Sequence, residues 1–316
     1  MEYGSSRNFS HTEFYLMGFS SLKERRRFLF IPFCLMFIFS MVTNSLLIYV
    51  IVKQRSLHSP MYILISSIAC IDIVVPLWVV PRMLFAFASD VNTISRVGCL
   101  VQMFFVHYAC SFQSTILFGM ALDRYLAICF PLRYNDVVNL TNSLITVVVI
   151  VIRKHIIITA MISLVGTLTF CSSNVLYHCF CEHQLVVNLA CGDTTKNYLA
   201  GLISFCVPTV DCFGIAYSYI TIFVVIFRSA GGESRQKAIH TCSTHLMVIC
   251  VVYFSSMIAF LSYRVKHAIP PDFRVLISCM YLLIPGCFNP VIYGIRTKEI
   301  REQITKILKG GKTVPS

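Results

Sequence analysis

Charge is scarce in this chain. Only 13% of its 316 residues are Asp, Glu, Lys or Arg, about half the share in soluble domains. Acidic residues are scarcer than basic ones, 14 against 26, and there is a single Trp. A soluble enzyme needs more polar surface than this, and a disordered chain needs low hydrophobicity with high net charge, so both classes are excluded. No CxxC pair with a matching His pair signals structural zinc, and the 15 cysteines are too scattered for a small disulfide scaffold. Strict alternation over about ten residues, the mark of a membrane β-barrel, is not the dominant pattern. The first twenty residues lack a long apolar core, so no cleavable leader is expected and the first membrane segment must itself direct insertion.

What the chain does have is apolar length. Hydrophobic residues make up 57% of it, and the mean hydropathy is +0.75. Seven runs reach the ~20 residues that a helix needs to cross the hydrocarbon. They cover Phe28 to Val52, Met61 to Phe87, Gly98 to Cys129, Ser143 to Phe170, Tyr198 to Phe227, Thr241 to Tyr263 and Phe273 to Ile295. The expected fold is an all-α membrane protein, a seven-transmembrane helix bundle, because a helix satisfies its own backbone hydrogen bonds in lipid. Pro208, Pro285 and Pro290 mark kinks, which either accompany moving parts or simply bend the helix locally. The formal net charge of +12 is spread between apolar runs rather than along one face, which points to membrane lipid and not to nucleic acid.

Two spans break the apolar rule. Arg153, Lys154 and His155 interrupt the fourth, and Asp211 lies well inside the fifth. Either the fourth span begins after His155, leaving Arg153 and Lys154 to snorkel, or it begins earlier and carries the triplet inside. Asp211 is protonated, faces the bundle, or meets a polar partner that the sequence does not identify. The cation distribution barely distinguishes the two sides, and the cluster from Lys23 to Arg27 opposes an external N-terminus. After the seventh span, Ile300, Ile304, Ile307 and Leu308 recur at helical spacing among Lys298, Arg301, Lys306 and Lys309, ahead of Gly310 and Gly311. That pattern predicts an amphipathic helix lying in the lipid interface.

The strongest motif ends the third span: Met120-Ala121-Leu122-Asp123-Arg124-Tyr125-Leu126-Ala127-Ile128-Cys129-Phe130-Pro131-Leu132-Arg133-Tyr134. It resembles the MAYDRYVAICxPLRY signature of odorant receptors, a branch of the rhodopsin-like G-protein-coupled receptors, with Leu122 in place of the usual Tyr. Four further segments resemble that family in its own order. They are Pro60-Met61-Tyr62 with Asp72, Ser218-Tyr219-Ile220-Thr221-Ile222, Lys237 to Leu246 reading KAIHTCSTHL, and Asn289-Pro290-Val291-Ile292-Tyr293 continuing to Glu299. The resemblance spans about residues 8 to 305.

The resemblance implies a receptor that binds a small-molecule odorant and activates a heterotrimeric G protein of the olfactory stimulatory type, raising cyclic AMP. It implies a plasma-membrane protein with an extracellular segment over residues 1–27, a receptor domain over 28–295 and a cytoplasmic tail over 296–316. It also implies a switch made of Asp123, Arg124, Tyr125, Tyr219, Asn289, Pro290 and Tyr293, in which Arg124 rests near Asp123 until activation frees it. Asn44, Asp72 and Asn289 are polar residues in three apolar spans and should meet in the interior. In related receptors such a cluster can hold sodium, but Gln113 stands where many odorant receptors have Glu. The expectation is a hydrogen-bond network or a structural sodium ion, with no other cofactor.

By resemblance Cys99 pairs with Cys181 and Cys171 with Cys191, leaving Cys179 as a spare thiol. Asn8 begins a glycosylation sequon; Asn139 begins a second one that should stay bare in the cytoplasm. The family pattern places the ligand among His107, Cys110, Ser111, Ser114, Ile203, Val207, Ser256, Phe260 and Cys279. His107 is either a ligand contact or an ordinary packed histidine. Arg264, Lys266 and His267 at the outer mouth either attract an acidic odorant or are solvated loop charges. Rival readings are a rhodopsin-like receptor for an internal ligand, which would not need the PMY, SYxxI and KAxxTCxSHL segments, and a transporter or channel. No paired repeat or polar pore stripe supports the latter. No serine, paired-aspartate or metal-ligand constellation suggests an enzyme.

Overall fold

The computed structural model describes residues 10–171, 173–229, 231–264 and 269–308. Seven helices long and apolar enough to cross a membrane dominate it. They are α1 (Phe30–Lys53), α2 (Pro60–Ser89), α3 (Arg96–Cys129), α4 (Leu140–Gly166), α5 (Thr195–Ser229), α6 (Gly232–Arg264) and α7 (Pro271–Arg296), followed by the short α8 (Lys298–Leu308). Local chemistry explains several of the starts. Pro60 and Pro271 each occupy the first helical turn, where a missing N–H costs nothing. The Ser95 hydroxyl accepts the Gly98 N–H at 3.1 Å, and the Asn139 side chain accepts the Asn142 N–H at 2.8 Å. Asn139 is therefore a helix cap within its sequon. Because α4 starts at Leu140, Arg153, Lys154 and His155 lie inside it. The sixth helix starts at Gly232, nine residues ahead of the apolar run expected from Thr241.

The two ends of the bundle differ. At one end, which we term the capped end, a three-stranded sheet joins β1 (Glu13–Leu16), β2 (Thr93–Ser95) and β3 (Val175–Leu176) in the order β2-β1-β3. Strand β1 runs antiparallel to β2, pairing Phe14 with Ile94, and parallel to β3, pairing Tyr15 with Val175. Phe14 drops into a small core and meets Phe170 edge-on at 5.0 Å. Disulfides join Cys99 to Cys181 and Cys171 to Cys191, with Cα separations of 5.5 and 6.0 Å, inside the usual range. Arg26 donates to Asp90 at 2.6 Å, and Arg27 donates to the other oxygen of the same carboxylate, tying the chain ahead of α1 to the end of α2.

At the opposite, open end the packing is apolar. Tyr293, Ile222, Met120 and Ile65 are fully buried there, and Ile300 of α8 reaches the same cluster. The amphipathic stripe thus docks on the bundle through Ile300 and Ile304, while Ile307 is 42% exposed. Many large apolar side chains of α1, α4, α5 and α6 face outward, as lipid-facing surfaces require. Asn8, Lys266, His267, Lys309, Gly310 and Gly311 lie outside the described residues.

Candidate functional site

At the open end, Asp123 and Arg124 finish α3. Their closest side-chain approach is 3.9 Å, whereas Asp123 accepts the Tyr134 hydroxyl at 2.7 Å. The carboxylate's hydrogen bond therefore goes to the following turn, and Arg124 is left with an ion pair but no hydrogen bond from Nε. Among the described residues, Tyr219 of α5, 4% exposed, has no partner for its hydroxyl, and both ring nitrogens of His245 on α6 are likewise unpaired. The Tyr293 hydroxyl meets the Met120 sulfur at 3.7 Å, with the His245 ring edge-on at 6.3 Å. Tyr125 faces outward from this group, against Phe130 and Tyr217. Four elements thus converge on a site rich in polar atoms and poor in partners. Arg296 of α7 clasps α6 by donating to Ser243 at 2.6 Å.

Midway through the bundle, both oxygens of Asp72 accept amide N–H groups, from Gln113 at 2.9 Å and from Asn289 at 2.8 Å. Asn44 stands one step away. It donates to the Gly286 carbonyl at 2.7 Å and to the Ser40 carbonyl at 2.9 Å, and the Ser40 hydroxyl reaches the Asp72 carbonyl at 3.3 Å. Next to this Asn289-bearing turn, Pro290 sits inside α7, buried.

The two charged interruptions of the apolar spans solve each other. Lys154 of α4 and Asp211 of α5 approach to 3.8 Å, with side chains 1% and 7% exposed. Lys154 donates to both the carbonyl and the hydroxyl of Ser111 at 2.8 Å. Asp211 accepts from Ser114 at 2.7 Å and from Thr115 at 2.8 Å. One buried polar knot thereby fastens α3, α4 and α5. Lys154 and Asp211 belong among the functional candidates and were not paired by the sequence. The available signal was a basic triplet in one apolar span and a lone anion in the next. Ser111 and Ser114, expected to line the ligand pocket, have their hydroxyls committed to this knot.

Nearer the capped end, His107 of α3 meets His183 of the loop between α4 and α5, with ring centroids 6.2 Å apart. His183 opens the short helix His183–Val187 and is seated against Gly201, where a Cβ would come within 2.8 Å of its ring. Its Nε2 is buried and without a partner. Cys110 faces Tyr281 of α7. Phe260 stacks on Phe205 at 4.5 Å, Ser256 bonds back to its own helix, and Cys279 lies against Met83 at 3.9 Å. Val207 is half-buried, but Ile203 is 49% exposed. The buried face of α5, running through Asp211, Ile215, Tyr219, Ile222 and Ile226, projects back through Val207 and Ser204, which puts Ile203 at its edge.

Two loop histidines make this end acid-sensitive. Burial holds His183 down to about 4 and His178 down to about 3, against about 6.5 for the unfolded chain. Between those values the unfolded state binds more protons, so these groups lower stability progressively as pH falls from about 6.5 toward 4. Asp90, held below the ordinary carboxylate range by Arg26 and then Arg27, loses its contribution only at lower pH. Thermal unfolding at pH 5 and 7.5 should show a lower midpoint in acid, and a His178→Gln, His183→Gln variant should shrink that difference.

The architecture and the open-end residues together pose a family question that comparison decides. The family model described as olfactory receptor matches residues 33–310. Human olfactory receptor 52P1 is 36% identical over 302 residues, covering 95% of this chain and 94% of its own. Human olfactory receptor 51E2 is 36% identical over 306 residues, 96% of each chain, and human olfactory receptor 52K2 is 37% identical over 296 residues, 93% of this chain and 94% of its own. The chain belongs to the olfactory receptor family. It is a multi-pass membrane protein with the odorant-binding, G-protein-coupled function of that family, which is not enzymatic in general.

Sodium can be tested against this receptor's own residues. A cation beside Asp72 needs oxygen ligands, but Gln113 and Asn289 turn amide donors to both carboxylate oxygens. The carboxylate is satisfied by neutral donors, but the buried side-chain oxygens of Asn44 and Asn289 have no partner among the described residues, so these two oxygens and Asp72 are hard donors of the kind sodium takes. Gln113→Glu would replace one donor with a second anion. That variant should show a larger sodium-dependent rise in thermal midpoint than the parent receptor, measured by titrating NaCl against choline chloride.

Proposed function

We propose that this receptor takes a small-molecule odorant beneath its capped end, among α3, α5, α6 and α7, and transmits binding to a stimulatory G protein at its open end. The observation that carries the reading is the contrast in bonding between the ends. The capped end is cross-linked by two disulfides and a sheet, while the open end gathers Arg124, Tyr219, His245 and Tyr293 with unused polar atoms. Disulfides persist in oxidising surroundings, which supports an extracellular capped end and an external N-terminus. Seven crossings then leave α8 in the cytoplasm, with Lys298 and Lys306 toward anionic headgroups.

His107 and His183 are the polar anchors of the binding region, within a wall that includes Cys110, Val207, Phe260 and Cys279. A neutral His183 can donate or accept through Nε2, so it suits ligands with a carbonyl, hydroxyl or carboxyl head. Binding favours the signalling state only through its higher affinity for that state. The test is a cyclic AMP reporter screen of small oxygenated odorants, with an antibody to an N-terminal tag applied to unpermeabilised cells. Expected are surface staining and at least one dose-dependent response that weakens in His183→Ala. Staining only after permeabilisation would reverse the orientation, and surface receptor silent to every compound would count against the signalling assignment.

A further inference from the structure

Three sulfur atoms from three separate elements meet under the capped end. Cys279 of α7 places its sulfur 3.9 Å from the Met83 sulfur of α2. Its thiol also contacts that of Cys179, in the loop between α4 and α5. Cys179, Cys279 and Met83 are 6%, 2% and 2% exposed and share one apolar cluster. Neither cysteine takes part in the two disulfides. Cys179 is also pressed against Gly18, where any Cβ would overlap its sulfur, so the chain ahead of α1 closes over it. A small cavity, about 10 Å³, touches both Met83 and Cys179 and is lined by Arg26 and Arg82.

Two thiols and a thioether are a soft donor set. Such sets select monovalent copper over the harder ions that carboxylates and carbonyls hold. A disulfide between Cys179 and Cys279 would leave the Met83 sulfur without a role, whereas a three-sulfur site uses all of them. The cavity adds room for one small species beside two of the donors, and Arg26 and Arg82 offset the charge that two thiolates would bring.

We propose that Cys179, Cys279 and Met83 form a binding site for a soft monovalent metal ion, copper(I) or its analogue silver(I), which staples the loop between α4 and α5 to α2 and α7. On binding, each thiol gives its proton to water and each sulfur donates a lone pair to the metal. The ion stays monovalent, so no electron moves. Because both thiols lose their protons when the metal binds, uptake releases protons and weakens in acid.

The test uses purified full-length receptor in lipid nanodiscs with silver(I) as a redox-stable probe. The other free cysteines will also take silver, so the readout is the thermal midpoint against added ion, beside native mass spectrometry. The parent should gain a midpoint increase that saturates at one ion per chain. Cys179→Ala and Cys279→Ala should each weaken the apparent affinity by more than about tenfold, the least that even an outer-sphere change at a metal site tends to cost. Met83→Leu, which preserves volume, should weaken it to a smaller extent. Cys206→Ser, at an exposed position, should behave as the parent. If the alanine variants fold poorly, Met83→Leu and site-resolved protection of Cys179 and Cys279 from alkylation by silver still decide the matter. A midpoint shift that survives in the Cys179→Ala, Cys279→Ala double variant overturns the proposal. So does the absence of any shift in the parent, or a non-reducing digest in which Cys179 and Cys279 are found joined.

Discussion

Lys154→Ala should destabilise this receptor by about 3–5 kcal/mol, the usual consequence of removing one partner from a buried ion pair. The reason is what remains behind. Asp211, 7% exposed, keeps two hydroxyl donors from Ser114 and Thr115 but loses the cation 3.8 Å away. Ser111 loses the ammonium that both its carbonyl and its hydroxyl accept from. Asp211→Ala should cost a similar amount by leaving the ammonium unpaired. The informative variant is the double replacement Lys154→Met with Asp211→Leu, which exchanges two charges for apolar side chains of similar size. Replacing such pairs wholesale is often neutral or stabilising by about 1–4 kcal/mol, so the double variant should recover most of the loss. Surface abundance by flow cytometry and thermal unfolding in detergent report both effects. Equal losses in the single and double variants would show that α3, α4 and α5 are not held together by this pair.

Arg124→Ala should behave in the opposite manner, with abundance preserved and signalling lost. The side chain is 21% exposed and its one ion pair is long, at 3.9 Å. At that distance, and with no hydrogen bond from Nε among the described residues, the pair adds little to stability. Its setting among Tyr219, His245 and Tyr293 is instead what an arriving protein would use, because a guanidinium brings several donors and a permanent charge. Odorant-evoked cyclic AMP at matched surface expression should fall by about 5- to 150-fold, the range of a typical coupling between two sites. Arg124→Lys should rescue only part, since a lone ammonium lacks the planar fork. Full response without Arg124 would remove the open end from the mechanism.

These two residues also mark the limits of reading the sequence. Arg124 was legible because its motif is contiguous, and the seven spans were legible because each is a long apolar run flanked by polar turns. Lys154 and Asp211 stood out as anomalies but not as a pair, since periodicity within a span says nothing about which neighbouring helix shares its depth. The family pattern alone placed Ser111 and Ser114 at the ligand, and it carries no sign that their hydroxyls also bond Lys154 and Asp211. Asp72, Gln113 and Asn289 fared better, because polar residues in separate greasy helices have few places to go except toward each other. Nothing in the pattern foretold the sheet: its strands are two to four residues long, shorter than any span over which alternation can be detected.

That sheet imposes a schedule on biogenesis. Its central strand, residues 13–16, leaves the ribosome well before its neighbours at 93–95 and 175–176 are synthesised. Strand β2 precedes the third helix and can cover one edge early, but until the fourth helix has been inserted the edge that β3 takes stays open and Phe14 lacks its partner Phe170. A stalled or slowly inserted fourth helix would therefore prolong the interval in which this segment must be shielded from aggregation.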